Sequence, residues 1–213
     1  MILRHSFRIL LQLVPGSDLR FWLLARTDDH YAPVFVRPGF HLTVDGFPRS
    51  ANTWIYYQVQ LSFPDHQIAH HVHSWQQFMF SRLFGVRSVL VLRHPDASVQ
   101  SLLTKRGGTL FLGYLDYLVT NGLASLFAHD TRYFEDLVCE GGMSLFLNEL
   151  SIILDTSTEP VDPSVLRKLM ATRTDHKNVA TPALDVARIG PITRLIRTAA
   201  TRLYGFKKRS ALS

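Results

Sequence analysis

Two hydrophobic patterns alternate along the first half of this chain. Short apolar runs stop at glycine or proline, and longer stretches repeat their apolar residues at helical spacing. His41-Leu42-Thr43-Val44-Asp45 predicts a strand that ends at Gly46. From about Thr53, the positions Trp54, Ile55, Tyr57, Val59 and Leu61 predict a helix, broken by Phe63-Pro64-Asp65. Gln67 to Val72 predicts a short strand, and Trp75 to Phe84 a helix with Gly85 at its end. Val86 to Leu92 holds the continuous run Val89-Leu90-Val91-Leu92, as expected of a strand covered on both faces. Arg93-His94-Pro95 ends it. Pro95 then opens a helix from Asp96 to about Lys105, stopped by Gly107-Gly108.

Alternating strands and helices predict an α/β fold with a central parallel sheet flanked by helices. The second half reads as mostly helical: Leu110 to Phe127, Met143 to Leu154, Ser164 to Ala171 and Ile192 to Tyr204. A short strand is placed near Arg132 to Phe134. No internal repeat or low-complexity tract interrupts the pattern. We therefore expect one domain over 1–213, with a core at 41–106 and a helical remainder at 109–205. In such a sheet, ligands bind beyond the carboxyl ends of the strands. That directs attention to the loops at Gly46–Asn52 and Arg93–Pro95.

Composition narrows the classes. With 46% hydrophobic and 19% charged residues, the chain carries enough apolar material for a core. Its apolar runs are far shorter than the about 20 residues of a membrane span, so none is expected. Cys139 stands alone, which excludes an intramolecular disulfide and a cysteine-built zinc site, and fits a reducing, cytoplasmic setting. At the N-terminus, Arg4 and Arg8 interrupt the apolar run and no small-residue cleavage site follows closely. An amphipathic helix lying on the protein is expected there, with membrane contact as the alternative.

The net charge of +6 is concentrated late. From Arg167 onward there are eleven Lys and Arg against the two acids Asp175 and Asp185; before it, twelve face fifteen. This balance suggests an anionic partner. In the last helix, Ile192, Leu195, Ile196, Ala199 and Leu203 form a stripe, and Arg194, Arg197 and Arg202 lie off it, ahead of Lys207-Lys208-Arg209. The expectation is a docked helix with a solvated face; peripheral membrane contact through this basic helix is the alternative. The tail lacks the interleaved aromatics of a nucleic-acid module, so no nucleic acid is expected.

Gly46-Phe47-Pro48-Arg49-Ser50-Ala51-Asn52-Thr53 has the length and placement of a phosphate-cradling loop. Against the triphosphate pattern G-x-x-x-x-G-K-[ST], it keeps the first Gly and the final Thr. Ala51 stands for the second Gly and Asn52 for the Lys, while a cation comes earlier, at Arg49. The shift implies a phosphate ligand with a different distal group.

Phe47-Pro48-Arg49-Ser50-Ala51-Asn52-Thr53-Trp54 resembles the phosphosulfate loop of sulfotransferases that use 3′-phosphoadenosine 5′-phosphosulfate (PAPS), whose pattern is Y/F-P-K/R-S-G-T/N-T-W. A second stretch, Val89-Leu90-Val91-Leu92-Arg93-His94-Pro95-Asp96-Ala97-Ser98-Val99-Gln100-Ser101, resembles that family's 3′-phosphate motif, a strand followed by R-N-P-x-D-x-x-x-S. Tyr133-Phe134-Glu135-Asp136-Leu137 is similar to a later Y-E-D-L segment, with one residue inserted. The resemblance implies a three-layer, P-loop-like fold and a short, bacterial-type member. Arg49 would contact the sulfuryl and bridging oxygens. Pro48 and Ala51 would belong to the donor-binding loop, and Ser50, Asn52 and Thr53, with backbone N–H groups, would hold the 5′-phosphate. Trp54 would pack near the adenine, and Arg93 with Ser101 would read the 3′-phosphate. The departures are Arg for the commoner Lys and Ala51 for Gly, which requires the loop to tolerate a Cβ. Asp96 lies one position early and His94 replaces Asn; neither is assigned to the ligand.

Sulfuryl transfer needs a base for the acceptor proton, and histidine suits that task near neutral pH. The resemblance places the catalytic histidine in the segment His70-His71-Val72-His73, with His73 as base and His71 as the alternative. H-x-H on a strand also suits zinc, but no third ligand is evident beyond the nearby Asp65 and His66, so no metal is expected. His5, His30, His94, His129 and His176 are read as incidental. Arg173, Lys177 and Lys105-Arg106 are candidates to close over the 3′-phosphate. The expected function is transfer of a sulfuryl group from PAPS to an acceptor hydroxyl or amine, releasing 3′-phosphoadenosine 5′-phosphate (PAP). Small-molecule, lipid and carbohydrate acceptors remain open. Two rivals stand: a degenerate P-loop kinase or NTPase, and a non-catalytic nucleotide-binding protein at membrane surfaces. The first predicts a Lys before Thr53 and an Asp after Leu92, where the chain has Asn52 and Arg93.

Overall fold

The computed structural model describes residues 34–173 and 189–210, together with Ile9, Leu10, Leu13, Val14 and Leu23. The first half runs β1 (Leu42–Gly46), α1 (Asn52–Ser62), β2 (Ile68–His70), α2 (Trp75–Leu83), β3 (Arg87–Leu92) and α3 (Pro95–Arg106). There follow α4 (Leu110–Phe127), β4 (Asp130–Tyr133), α5 (Phe134–Leu137), α6 (Gly142–Ile153), α7 (Pro163–Arg173) and α8 (Pro191–Ser210). The four strands form one sheet in the order β2-β1-β3-β4, every pair parallel.

The side-chain period of two divides each central strand between two helical layers. Leu42, Val44, Val89 and Val91 pack with Ile55 and Val59 of α1, with Phe63 just beyond it, and with Phe146 and Leu150 of α6. On the other face, Leu90 and Leu92 meet Phe78 of α2 and Ala124 of α4. The result is helix, sheet, helix: the expected α/β architecture with a helical second half. Because the chain leaves β1 for β2 on one side and returns for β3 on the other, the order reverses between β1 and β3. Crevices of this kind, beyond the carboxyl ends, are where ligands bind. Gly46 opposes Val91 at that end. A Cβ on Gly46 would lie 2.2 Å from the Val91 carbonyl oxygen, so only glycine lets β1 stay paired to its last residue.

The sequence pattern extends β2 through Val72, but the strand stops at His70. The backbone N–H groups of Val72 and His73 donate to the Asp45 carboxylate at 2.8 and 2.9 Å instead of continuing the ladder. β4 begins at Asp130 rather than Arg132, pairing with Val89 of β3. α4 spans the predicted residues. By length and composition alone it is the one candidate membrane span among the described residues. Its buried stripe carries Tyr114, Asp116, Tyr117, Thr120 and Asn121, as in a helix packed inside a protein.

The last helix docks, but on a face rotated from the predicted stripe. Ala200 is fully buried beside Phe47, Val99, Leu102 and Tyr117, with Ile196 packed against them. Ile192 and Leu195 are exposed at 66% and 71%. Polar ties set the rotation: Arg197 pairs with Asp96, the Tyr204 hydroxyl donates to Glu135, and Lys208 pairs with Asp136. Of the expected N-terminal helix, Ile9 is buried while Leu10, Leu13 and Val14 are exposed; the rest lies outside the described residues, as do His5, His30, His176 and Lys177.

Candidate anion-binding site

The loop after β1 turns twice through the left-handed region, at Arg49 (φ 72°) and at Ala51 (φ 61°). Ser50 N–H donates to the Phe47 carbonyl at 3.1 Å, and the Ala51 carbonyl accepts from Trp54 and Ile55 to begin α1. Alternation of this kind turns successive backbone N–H groups to one side, an anion-binding concavity. The Asn52 and Thr53 amides, which precede the first internal bond of α1, add to it. Ala51 takes the glycine-type conformation while carrying a Cβ, at a cost of about 1–2 kcal/mol. Phe47, buried against Tyr117 with ring centroids 5.1 Å apart, anchors the loop from beneath.

The two sequence motifs meet here. Arg93, from the end of β3, donates through Nη1 to the Arg49 carbonyl at 3.1 Å, across 44 positions of sequence. Arg49 Nε donates to Ser101 Oγ at 2.9 Å, on α3. The Arg93 guanidinium also lies over the Phe134 ring, 4.9 Å from its centroid. Burial and the Arg49 charge push Arg93 below its ordinary pKa, and Glu135 opposes them. Lys105 is lowered too, by burial and by its like-charged neighbours Arg49 and Arg106. A bound anion would offset both the burial and the like-charge repulsion of these cations.

Other predicted residues divide between facing this corner and bracing it. Ser50 Oγ is buried and has no hydrogen-bond partner within the protein. Pro48 is buried and shapes the turn. Asn52 points inward: its Nδ2 contacts the Gly46 carbonyl at 3.1 Å, Asp45 Oδ1 at 3.3 Å and the Phe47 carbonyl at 3.4 Å. It braces the loop where a triphosphate loop would carry lysine. Thr53 Oγ1 pairs with His71 Nε2 at 2.8 Å. Trp54 packs against the core on the α1 side of the sheet.

The histidine segment lies beside the loop. His71 (φ 59°) and His73 (φ 55°) both adopt the left-handed conformation. His70 stacks on Tyr56, and its Nδ1 meets His71 Nδ1. Both ring nitrogens of His71 are therefore engaged, one by His70 and one by Thr53. His73 Nδ1 lies 2.9 Å from the Gly46 carbonyl, 3.1 Å from Asp45 Oδ1 and 3.1 Å from Asn52 Nδ2. Burial alone would raise the Asp45 pKa. The His73 charge and the hydrogen bonds from His73 and Gly46 outweigh it and hold the carboxyl below its usual range. Among the described residues, no three His, Cys, Asp or Glu side chains are grouped to hold a metal ion.

Asp96 faces away from the ligand corner. Its carboxylate accepts from the Tyr114 hydroxyl at 2.7 Å and from Arg197, so it docks α8. The Arg173 side chain and Lys177 fall outside the described residues. Sequence reasoning passed over Asp45 and Glu135. Asp45 had a signal: an acid in a strand that is otherwise buried must be hydrogen-bonded there. Glu135, which accepts the His94 amide at 3.0 Å and stands near Arg93, sits in the segment matched only with an insertion. The arrangement is equipped to grip an anion at two cationic turns and to place a histidine beside it. No family model and no curated protein matches this chain, so its functional reading stands on these residues.

Proposed function

We propose that this protein is a sulfotransferase that takes PAPS as donor and passes its sulfuryl group to an acceptor hydroxyl or amine. One observation carries the reading: Arg49, Ser101 and Arg93, from two motifs far apart in sequence, form one connected hydrogen-bonded cluster at the reversal point of a parallel sheet. The loop amides and the orphaned Ser50 hydroxyl suit the 5′-phosphate. Arg93 and Ser101 suit the 3′-phosphate, with Lys105 beside them. Arg49 donates to Ser101 in this structure, so its task at the sulfuryl end requires that bond to open as donor enters. His73 is the base in this reading, because both nitrogens of His71 are engaged by its neighbours. The lone Cys139 fits a cytoplasmic location, with peripheral membrane contact through α8 as the alternative.

The donor supplies an activated sulfuryl group; the chain binds it, shields it and removes the acceptor proton. Calorimetric titration with PAP and with ATP tests the reading. Tight PAP binding, weakened at least about tenfold in Arg93→Ala and in Arg49→Ala, is expected from the loss of one charge-assisted contact worth about 1.5–3 kcal/mol. Equal affinity for ATP and PAP would favour a kinase-type nucleotide site and overturn it.

A further inference from the structure

We infer that Asp45 is a positioning residue for His73: its carboxylate, with the Gly46 carbonyl, holds the ring as the Nδ1–H tautomer, in which Nε2 carries the lone pair. The chemical use of that lone pair rests on the sulfotransferase reading. The tautomer itself does not.

A carboxylate with no exposed surface, at the end of a central strand, is a costly feature unless its oxygens are filled. Here both are. Oδ2 accepts the amides of Val72 and His73, with Gln77 Nε2 of α2 at 3.4 Å. Oδ1 accepts the Gly46 amide at 2.8 Å and faces Asn52 and the His73 ring. The backbone bonds suffice to tether the loop. The contact with Nδ1 goes further, because it orients an imidazole.

The proton's place follows from the neighbours of Nδ1. Two of them, the Gly46 carbonyl and Asp45 Oδ1, only accept. The third is the Asn52 amide nitrogen, whose protons already have Asp45, Gly46 and Phe47 oxygens within reach. Nδ1 therefore carries a proton, although free histidine favours protonation at Nε2. Among the described residues, the charged and titratable groups facing the ring include Asp45 from β1 and His71 from the same loop, 5.8 Å between ring centroids. The same carboxylate also bears on the left-handed backbone at His71 and His73. Strain of this kind persists only where surrounding bonds over-determine it, and the Asp45 grip on both amides does so.

In the proposed reaction, the acceptor O–H proton passes to His73 Nε2 as the acceptor oxygen bonds to sulfur. The sulfur–oxygen bond to the 5′-phosphate breaks, and PAP departs with that electron pair. The imidazolium left on His73 faces the Asp45 carboxylate, and its proton then goes to solvent.

The test is two-bond proton–nitrogen NMR on the full chain labelled with nitrogen-15 in histidine, near neutral pH. His73→Asn identifies the His73 signals. Wild type should show His73 as Nδ1–H. In Asp45→Asn the carboxamide oxygen still accepts the Val72 and His73 amides, while its NH2 faces the ring and the Gly46 amide loses its acceptor. The Nδ1–H signal of His73 should be lost and an Nε2–H signal should replace it. A folded Asp45→Asn chain that keeps Nδ1–H would overturn the inference. So would wild-type His73 protonated at Nε2, and that reading needs no variant to fold. PAP affinity, measured alongside, reports on the sulfotransferase reading. A wild-type chain that keeps the tautomer but does not bind PAP loses the reaction and leaves the Asp45 hold on the ring supported.

Discussion

Replacing Asp96 by Asn should loosen the C-terminal helix by an amount set by how far its ion pair is buried. The Asp96 carboxylate accepts from Tyr114 Oη at 2.7 Å, from Arg197 Nε at 2.9 Å and from Arg197 Nη2. The two charged side chains are 26% and 20% exposed. Breaking a buried pair costs about 3–5 kcal/mol and an exposed one less than about 1 kcal/mol, so about 2 kcal/mol is expected here. That lowers Tm by about 4–8 °C for a domain of this size. Arg197→Ala should cost a similar amount. The double variant should recover about 1–2 kcal/mol of coupling in urea unfolding at neutral pH. The sign with pH also follows. Burial alone would raise the Asp96 pKa, but hydrogen bonds from Arg197 and Tyr114 lower it. A carboxyl depressed by folding stabilises above its unfolded value of about 3.9, and that contribution fades as pH falls through the folded value. The gap between wild type and Asp96→Asn should therefore narrow below about pH 4. Coupling below about 0.3 kcal/mol at neutral pH would refute the role given to this clamp.

Ala51→Gly should stabilise the chain by about 0.5–1 kcal/mol in denaturant titration, because the φ of 61° penalises a Cβ. A loss of stability would mean that Ala51 makes a contact worth more than its strain. Gly46→Ala should cost more than about 3 kcal/mol or prevent folding, since its Cβ would collide with the Val91 carbonyl at 2.2 Å; near-wild-type stability would show that β1 and β3 part before their ends. Asp45, also depressed, should sharpen acid unfolding as pH falls through its folded pKa, and Asp45→Asn should flatten that limb in a circular-dichroism titration.

The parallel sheet was legible because β3 carries an uninterrupted apolar run that only a strand covered on both faces can use. The two loops at the site were legible because Gly46 ends β1 and Pro95 follows β3 closely. β2 was not, since its early stop depends on Asp45, a partner 27 and 28 positions away whose capture of two amides leaves no local trace. The docked face of α8 was hidden for a similar reason. Apolar spacing favoured Ile192 and Leu195, yet Arg197, Tyr204 and Lys208 found acids on other elements and set the rotation. At the site, motif spacing located Arg49, Arg93 and Ser101, while the inward turn of Asn52 and the bond between Thr53 and His71 are tertiary choices. Periodicity cannot express them.

The central claim is that one ligand spans both cationic turns. Affinities for PAP, 5′-AMP and 3′-AMP, measured in wild type and in Arg93→Ala, test it directly. If Arg93 reads the 3′-phosphate, PAP should bind wild type about 10–100-fold more tightly than 5′-AMP, and Arg93→Ala should erase that advantage while leaving 5′-AMP affinity nearly unchanged. An Arg93→Ala chain that keeps the full preference for PAP, or a wild type with none, would contradict the account.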